Sequence, residues 1–335
     1  MQHICDRKMR SFFNKQIERV IYITLLFSNS LVILNIEICI AFSFLFRKTN
    51  RKDLLLLPYI PKGNAGDVTR FALYLPLLDK KKISYEIDYP CNQQVFNDLF
   101  VVNANRTKQY LYYMKIFWHR FFVVLRARHF KSVYAQRGLF PFYPDQKHSY
   151  LSKLLKKMND NVVLDFYDPD YLHNQNLVHE AAKLADKITV ANSELDKYFT
   201  RLGLKTFIHP LAIDTSVYKE KTDFSIQGKL HLYWTGNFIN SQKLLPLVPL
   251  LKKLSEKIPL RLTVVCPADA GFDKSFCTVK PWNENTFFNE LIEADIALYP
   301  VGGNLDSEKS KTAYKPLEYA AAKIPTVASP LGLTE

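Results

Sequence analysis

The chain has 335 residues, of which 48% are hydrophobic, and a formal net charge of +13. This length accommodates two domains of ordinary size, each with its own hydrophobic core. The five cysteines show neither the close spacing of a metal site nor the pattern of a small disulfide scaffold, which indicates a reducing compartment. The composition therefore excludes a disulfide-stapled secreted module, and no repeat is present.

The positive charge is concentrated in two segments. Residues 1–52 contain nine Lys or Arg against three acids, and residues 99–144 contain eight basic residues and no acid. The remainder of the chain is close to neutral. Concentrated basic charge of this kind favours contact with an anionic surface.

The first basic segment contains a largely apolar run from Val20 to Phe46. About 20 apolar residues span a bilayer, so the run is long enough for a transmembrane segment at 20–46. Glu37 and several polar residues oppose this interpretation, because an ionisable side chain inside a bilayer is costly. The run is also too long for a signal-peptide core. Two interpretations remain open: an N-terminal anchor, or an extension over 1–52 that reflects a misassigned start.

An α/β domain is predicted over residues 53–214. The apolar run Leu54–Pro58 is typical of a buried parallel strand, and a glycine-rich turn, residues 63–67, precedes a helix predicted over Val68–Leu78. A further strand begins at Val162, the segment Ala185–Ser193 is followed by a helix to Leu202, and Phe207–Asp214 lies near the end of the domain. By itself, the glycine-rich turn is weak evidence for any ligand.

A long basic helix is predicted from Arg106 to Arg128, with aromatic and aliphatic residues around much of its circumference. Basic amphipathic helices lie on anionic membranes with Tyr and Trp at the level of the headgroups. A core helix with a solvated basic face fits the same pattern, so both interpretations stay open. No nucleic-acid-binding module surrounds the helix, and we therefore predict no nucleic-acid partner.

Three carboxylates, Asp165, Asp168 and Asp170, lie at the carboxyl end of the strand that begins at Val162. The carboxyl end of a parallel strand is where α/β sheets bind ligands. The cluster is compatible with acceptor contact or structural capping, with electrostatics in a catalytic cleft, or with a divalent cation. The pattern alone does not separate these three roles.

A second α/β domain is predicted over residues 229–335, after a polar, aperiodic linker over 215–228. The strand Leu230–Thr235 ends at Gly236, where the missing side chain would let the backbone approach a ligand. A helix over Leu244–Lys257 and strands over Leu260–Val265 and Ala294–Pro300 follow.

The most informative segment is the last one, residues 310–335. A loop with Lys311 and Lys315 leads into a helix with Pro316 at its start and Glu318 in its first turn, and a short buried strand is predicted over Thr326–Ala328. A helix N-terminus accepts a pyrophosphate through its unpaired N–H groups, and the two lysines add charge to that cradle. A glutamate carboxylate can accept both hydroxyls of a ribose. The layout predicts a nucleotide-sugar site.

The same segment resembles the donor-binding signature of family 4 glycosyltransferases. The usual pattern has two glutamates eight positions apart, of which Glu318 is the second, while Ser310 occupies the position of the first. A subgroup instead has a lysine-rich loop and Lys-x-x-Glu-Tyr, which Lys311, Lys315 and Tyr319 fit. The resemblance implies a GT-B fold, in which two Rossmann-like domains face a cleft, and an acceptor domain over 53–214.

The resemblance also implies roles for individual residues. It assigns donor binding to Gly236, Lys243, Trp282, Lys315 and Glu318, and the acceptor side to Gly66, Arg70, Asp165 and Asp170. Lys311, Lys315 and Asp168 are the candidates for catalysis. No cofactor and no metal are implied, because the lysines and helix N–H groups would stabilise the departing diphosphate. For Trp282, base stacking and core packing remain equally open.

The resemblance implies a retaining, metal-independent hexosyltransferase. It would move a sugar from a nucleoside-diphosphate sugar to a glycan or lipid-linked acceptor in cell-surface polysaccharide synthesis, on the cytoplasmic face of a membrane. A complete GT-B C-terminal domain would continue beyond Glu335, so we predict that this domain is truncated. The alternative is a non-catalytic, membrane-associated subunit with the same fold. Ser310 and the truncation favour that alternative, and the Lys315–Glu318 pair opposes it.

Overall fold

The computed structural model describes residues 15–24, 27, 30–31, 35–43, 52–98, 106–139, 150–226, 228–266, 271–302 and 305–329. These residues divide into two compact units, one that ends at His209 and one that begins at Pro210. Each unit is built on its own parallel sheet. The anchor predicted at 20–46 falls partly outside the described residues. Within them, no helix is both long enough and apolar enough to cross a membrane.

The first unit contains a six-stranded sheet with the order β2-β1-β3-β4-β5-β6, in which every pair is parallel. The strands are β1 (Lys52–Leu57), β2 (Tyr85–Ile87), β3 (Phe130–Gln136), β4 (Val162–Phe166), β5 (Lys187–Val190) and β6 (Thr206–Ile208). The apolar run in β1 is buried because β1 lies between two strands and is covered on both faces.

Helices of the first unit connect and cover these strands. They are α1 (Ile36–Ser43), α2 (Ala65–Arg70), α3 (Leu75–Lys80), α4 (Gln93–Phe96), α5 (Arg106–Arg126), α6 (Tyr150–Met158), α7 (Tyr171–Leu184) and α8 (Ser193–Arg201). Residues 15–24 are also helical.

The helix predicted over Val68–Leu78 is interrupted. Helix α2 ends at Arg70, Phe71 has non-helical dihedrals, and a 3-10 turn leads into α3. The physical reason is Pro76 in the first turn of α3, because a proline ring clashes with the carbonyl four residues earlier and cannot donate a hydrogen bond. Phe71 is buried at the break and packs edge-to-face on Tyr134.

Helix α5 has two different faces. Tyr113, Phe117 and Val124 are buried, and the guanidinium of Arg120 is fully buried, where it donates to the carbonyl oxygens of Pro58 and Asp88. The opposite face is exposed along its length. The helix is therefore part of the core on one side, as one of the two predicted interpretations requires.

The second unit contains a five-stranded parallel sheet with the order β11-β10-β7-β8-β9. Its strands are β7 (Leu230–Thr235), β8 (Leu260–Val265), β9 (Cys277–Lys280), β10 (Ile296–Tyr299) and β11 (Thr326–Ala328). Its helices are α9 (Phe238–Leu244), α10 (Val248–Ser255), α11 (Glu284–Ile292), α12 (Leu305–Lys309) and α13 (Tyr314–Ala321).

Two details of the last segment differ from prediction. Helix α13 begins at Tyr314, so Glu318 lies beyond its first turn. Strand β11 has the predicted bounds but is not buried: it lies at the edge of the described sheet, and Val327 is 61% exposed. A short apolar run does not show whether a strand has neighbours on both sides, which explains the second error.

Candidate functional site

The strand order of the second unit reverses at β7, which lies between β8 and β10. Ligands of parallel α/β sheets bind beyond the carboxyl ends of the strands at such a reversal. Gly236 follows β7 at this point and donates its N–H to the carbonyl of Val265, at 3.0 Å. A Cβ at Gly236 would lie 2.3 Å from the ring of Trp234, which is buried. The packing of Trp234 therefore requires a glycine here.

Lys315 lies on α13, the helix that directly precedes β11 in the chain. No residue in the described part of the chain forms a hydrogen bond or ion pair with its ammonium group. Burial lowers the pKa of Lys315, while the nearby Glu318 and Cys266 oppose that shift. A half-buried cation without a direct counterion attracts an anionic ligand more strongly than a solvated surface lysine does.

Glu318 lies one turn after Lys315 on the same helix. Its Oε1 accepts a hydrogen bond of 3.0 Å from the hydroxyl of Tyr218. Burial raises the pKa of Glu318, and Lys315 and the Tyr218 hydroxyl oppose the rise. The predicted Lys315–Glu318 pair is thus present as two neighbouring, half-buried groups of opposite charge.

The other two predicted lysines meet at a carboxylate that the sequence analysis did not identify. Glu308 accepts a hydrogen bond from Lys243 at 2.5 Å and one from Lys311 at 3.2 Å. Its side chain is only 8% exposed. Burial, together with the nearby ammonium of Lys311, lowers the pKa of Lys243. In the sequence, Glu308 and Lys311 look like an ordinary surface pair three residues apart, so nothing marked this glutamate.

Trp282 follows β9 and is 52% exposed. Its ring centroid lies 6.3 Å from that of Phe287, at a tilt of 44°. Of the two predicted roles, core packing is therefore wrong. An exposed indole at the carboxyl end of a strand has a free face on which a planar group can stack.

In the first unit, Arg70 and Asp165 form an ion pair whose two side chains are both 0% exposed. Arg70 also donates to the carbonyl of His209 at 2.7 Å, and the Thr189 hydroxyl donates to Asp165 at 2.7 Å. The resemblance in the sequence assigned both residues to the acceptor side. Their polar atoms are nevertheless directed at protein groups, which is the geometry of a structural pair.

Gly66, the second glycine of the predicted turn, lies in α2, which begins at Ala65. Its carbonyl accepts a hydrogen bond of 2.8 Å from the buried side chain of Gln136, which in turn accepts from the N–H of Tyr59 at 3.0 Å. A Cβ at Gly66 would lie 2.2 Å from the hydroxyl of Tyr167. Gly66 is therefore required for close packing between α2 and the residue that follows β4.

Arg137 follows β3 and was missed by the sequence analysis. Its φ of 60° is in the left-handed region. The guanidinium lies over the rings of Tyr59 and Tyr167, at 4.7 and 5.1 Å from the ring centroids, and donates to Asp170 at 2.8 Å and to Asp168 at 3.3 Å. Arg137 belongs to no sequence motif, so only its contacts in the fold indicate its role.

The three carboxylates at the carboxyl end of β4 consequently point to different partners. Asp165 pairs with Arg70, and Asp170 pairs with Arg137. Burial raises the pKa of Asp170 to about 6, although Arg137 opposes the rise. Asp168, whose side chain is 35% exposed, is the most accessible of the three. Across the described ranges, no group of three or more metal-ligating side chains was found.

The structure thus brings predicted donor residues of the second unit together around two centres. Lys243 and Lys311 meet at Glu308, and Lys315 and Glu318 lie on α13 beside Tyr218. In the first unit, Asp168 and Asp170 meet at Arg137. Arg70 and Asp165 form a separate buried pair.

Comparison with solved structures identifies the architecture. The chain is similar to the lipopolysaccharide outer core galactosyltransferase WaaB in its apo form, with a TM-score of 0.55 and 12% identity over 84% of this chain and 81% of that one. It is also similar to an α-glucosyltransferase in complex with UDP and a 13-mer DNA, with a TM-score of 0.51 and 12% identity over 82% and 79% of the two chains. A third neighbour is an α-glucosyltransferase in complex with UDP, with a TM-score of 0.50 and 11% identity over 83% and 80%.

No model of a known protein family matches the sequence, and no curated protein matches it either. At the identities found, the solved structures establish the fold alone. The chain has the GT-B fold: it is an α/β protein with two parallel-sheet units, as the resemblance in the sequence implied.

Proposed function

We propose that this chain is a retaining glycosyltransferase of the family 4 type, which uses a nucleoside-diphosphate sugar as donor. The observation that carries the proposal is the pair on α13: Lys315 lacks a direct partner among the described residues, and Glu318 is held half-buried one turn further on. A diphosphate would supply the missing counterion, and ribose hydroxyls would donate to the carboxylate. The GT-B fold supports this proposal.

Lys315 and the N-terminal N–H groups of α13 would stabilise the negative charge that develops on the departing diphosphate. Such preorganised donors are the largest single contribution in many enzymes. Lys243 and Lys311 would add charge at the other centre, partly offset by Glu308. We propose on this basis that the transfer needs no metal ion. Trp282 would stack on the nucleobase and Gly236 would admit the diphosphate.

The donor site is tested by calorimetric titration of the full chain with UDP, GDP and their common sugar conjugates. We expect saturable binding of one nucleotide and a weakening of roughly 10- to 150-fold in Glu318→Ala, because a hydrogen bond to a charged group contributes about 1.5–3 kcal/mol. Glu256→Ala is the matched control, since Glu256 is an exposed carboxylate of the same unit. Equal affinities in both variants would contradict the assignment of Glu318.

Acceptor and turnover need a separate test. We propose that the acceptor is a glycan or a lipid-linked glycan of cell-surface polysaccharide synthesis, and that the side chains around Asp168 contact it. Release of nucleoside diphosphate from the bound donor, with and without a lipid-linked glycan fraction, measures transfer. The anomeric configuration of the product, read by proton NMR, decides whether the reaction retains configuration. Tight donor binding without any release would favour the alternative, a non-catalytic subunit.

We further propose that helix α5 places the chain on the cytoplasmic face of a membrane. Its exposed face carries the apolar side chains of Leu111, Trp118 and Phe122 together with basic Lys108 and Lys115. Anionic lipids attract the lysines, and the apolar side chains insert at the level of the headgroups.

Co-sedimentation with vesicles tests this membrane proposal. The full chain should bind vesicles that contain anionic lipid, lose that binding at high salt, and bind less in Trp118→Glu. Leu250→Glu is the control, because Leu250 is 63% exposed in the other unit. Equal binding to neutral and anionic vesicles would contradict the proposal, and binding to a DNA duplex instead would favour a nucleic-acid surface.

A further inference from the structure

The segment 214–223, most of which falls in the predicted polar, aperiodic linker, is attached to the rest of the second unit at several points. We call it the strap. Asp214 caps the 3-10 turn at the start of the strap, and Lys219 donates to Asn289 of α11 at 2.6 Å. The backbone N–H of Lys221 donates to the carbonyl of Ala322, next to the end of α13, at 2.9 Å. The strap therefore has a defined conformation beside α13.

Tyr218 is the strap residue that reaches the candidate donor site. Its ring packs edge-to-face on Phe288, with centroids 5.1 Å apart, and its hydroxyl donates to Oε1 of Glu318 at 3.0 Å. Burial and the negative charge of Glu318 raise the pKa of Tyr218, with Tyr314 adding to the rise. The hydroxyl therefore keeps its proton and serves as a hydrogen-bond donor to the carboxylate.

The carboxylate of Glu318 retains capacity for a ligand. An ionised carboxylate offers about four acceptor positions, and Tyr218 uses one of those on Oε1. Among the described residues, Oε2 has no hydrogen-bond partner. The terminal torsion of a glutamate has a broad, roughly two-fold profile, so a carboxylate without a fixed partner would sample many orientations. The hydrogen bond from Tyr218 fixes the plane of the group.

We propose that Tyr218 is a positioning residue that orients the Glu318 carboxylate for the two hydroxyls of a ribose, and thereby makes the site select ribonucleoside diphosphates over 2′-deoxyribonucleoside diphosphates. This inference rests on the proposed donor site. It adds a residue that lies 100 positions from Glu318 in the sequence, outside every motif of the donor segment.

The test compares nucleotide selectivity in the full chain. Whichever of UDP and GDP binds more tightly is titrated beside its 2′-deoxy analogue into the wild-type protein, Tyr218→Phe and Tyr233→Phe. Tyr218→Phe removes only the hydroxyl and keeps the ring against Phe288. Tyr233→Phe is the matched control, because Tyr233 is fully buried in the same unit and its hydroxyl has no hydrogen-bond partner among the described residues.

The wild-type protein should bind the ribonucleotide roughly 10- to 150-fold more tightly than its 2′-deoxy analogue, because the analogue loses a hydrogen bond to a charged group. In Tyr218→Phe this preference should fall roughly 2- to 10-fold, with little change in affinity for the deoxy analogue. Tyr233→Phe should keep the wild-type preference. In a Glu318→Gln background, the effect of Tyr218→Phe should disappear, because the two residues act through one contact.

The outcomes separate the two proposals. If the wild-type protein prefers the ribonucleotide and Tyr218→Phe preserves that preference in full, the inference about Tyr218 is overturned and the donor site stands. If Tyr218→Phe weakens the binding of the ribonucleotide and of its 2′-deoxy analogue equally, Tyr218 merely supports the fold, and the inference is again overturned. If the wild-type protein shows no preference or binds no nucleotide, the proposed donor site fails, and the inference fails with it.

Discussion

The buried ion pair between Arg70 and Asp165 gives the sharpest prediction about the first unit. Both side chains are inaccessible to solvent, and Arg70 also holds the carbonyl of His209 while Asp165 accepts from Thr189. If these residues served mainly to contact an acceptor, as the resemblance in the sequence implied, their loss would reduce activity and leave stability nearly unchanged. The geometry instead predicts a large loss of stability.

The magnitude follows from the burial. Asp165→Asn removes the charge that compensates Arg70 and leaves a guanidinium in a low-dielectric site. Breaking a buried pair in this way costs about 3–5 kcal/mol, since the remaining charge is desolvated without compensation. Glu194→Gln is the control. Glu194 pairs with Lys197 on the surface of the same unit, where both side chains are at least 41% exposed, and such a pair contributes less than about 1 kcal/mol.

Chemical denaturation of the full chain, followed by circular dichroism, measures the effect. Two units can unfold in two steps, so nucleotide binding is measured in parallel as a report on the second unit. We expect Asp165→Asn to lower the first unit's free energy of unfolding while nucleotide affinity is unchanged. A change below about 1 kcal/mol, accompanied by lost transfer to acceptor, would refute the structural assignment and restore Arg70 and Asp165 as acceptor contacts.

Three further predictions concern the two units separately. Gly236→Ala should destabilise the second unit by about 1–3 kcal/mol in denaturant titrations, because its Cβ would overlap the ring of Trp234, whereas Gly302→Ala, with nothing within 4 Å, should not. Glu308→Gln should strengthen nucleoside-diphosphate binding roughly 2- to 5-fold at low salt and less at high salt, because the substitution removes a negative charge between two lysines. Weaker binding would show that Glu308 itself contacts the donor. Burial raises the pKa of Asp170 from 3.8 to about 6, so the protonated form is favoured in the folded state. The contribution of Asp170 to the free energy of unfolding is therefore complete below pH 3.8 and is lost as the pH rises through about 6. The decrease should be absent in Asp170→Asn and is read from denaturation midpoints across this range.

The sequence was sufficient for features that depend on local pattern. Strands β7, β8 and β11 have the bounds that their apolar runs predicted, and α5 begins at the predicted residue. The resemblance at Lys315 and Glu318 also led to the GT-B fold, which the solved structures confirm. These features could be predicted because hydrophobic periodicity and helix-terminus chemistry are encoded within a few consecutive residues.

Partners distant in the sequence were decided by tertiary structure alone. Tyr218 and Glu318 are 100 positions apart, and Lys243 and Glu308 are 65 apart. Arg70 and Asp165, 95 positions apart, were both assigned to the acceptor side by the resemblance, but no pattern in the sequence showed that they neutralise each other. A charged residue in a sequence does not reveal whether its counterion is a ligand, the solvent or another side chain, because that depends on which strand ends the fold places side by side.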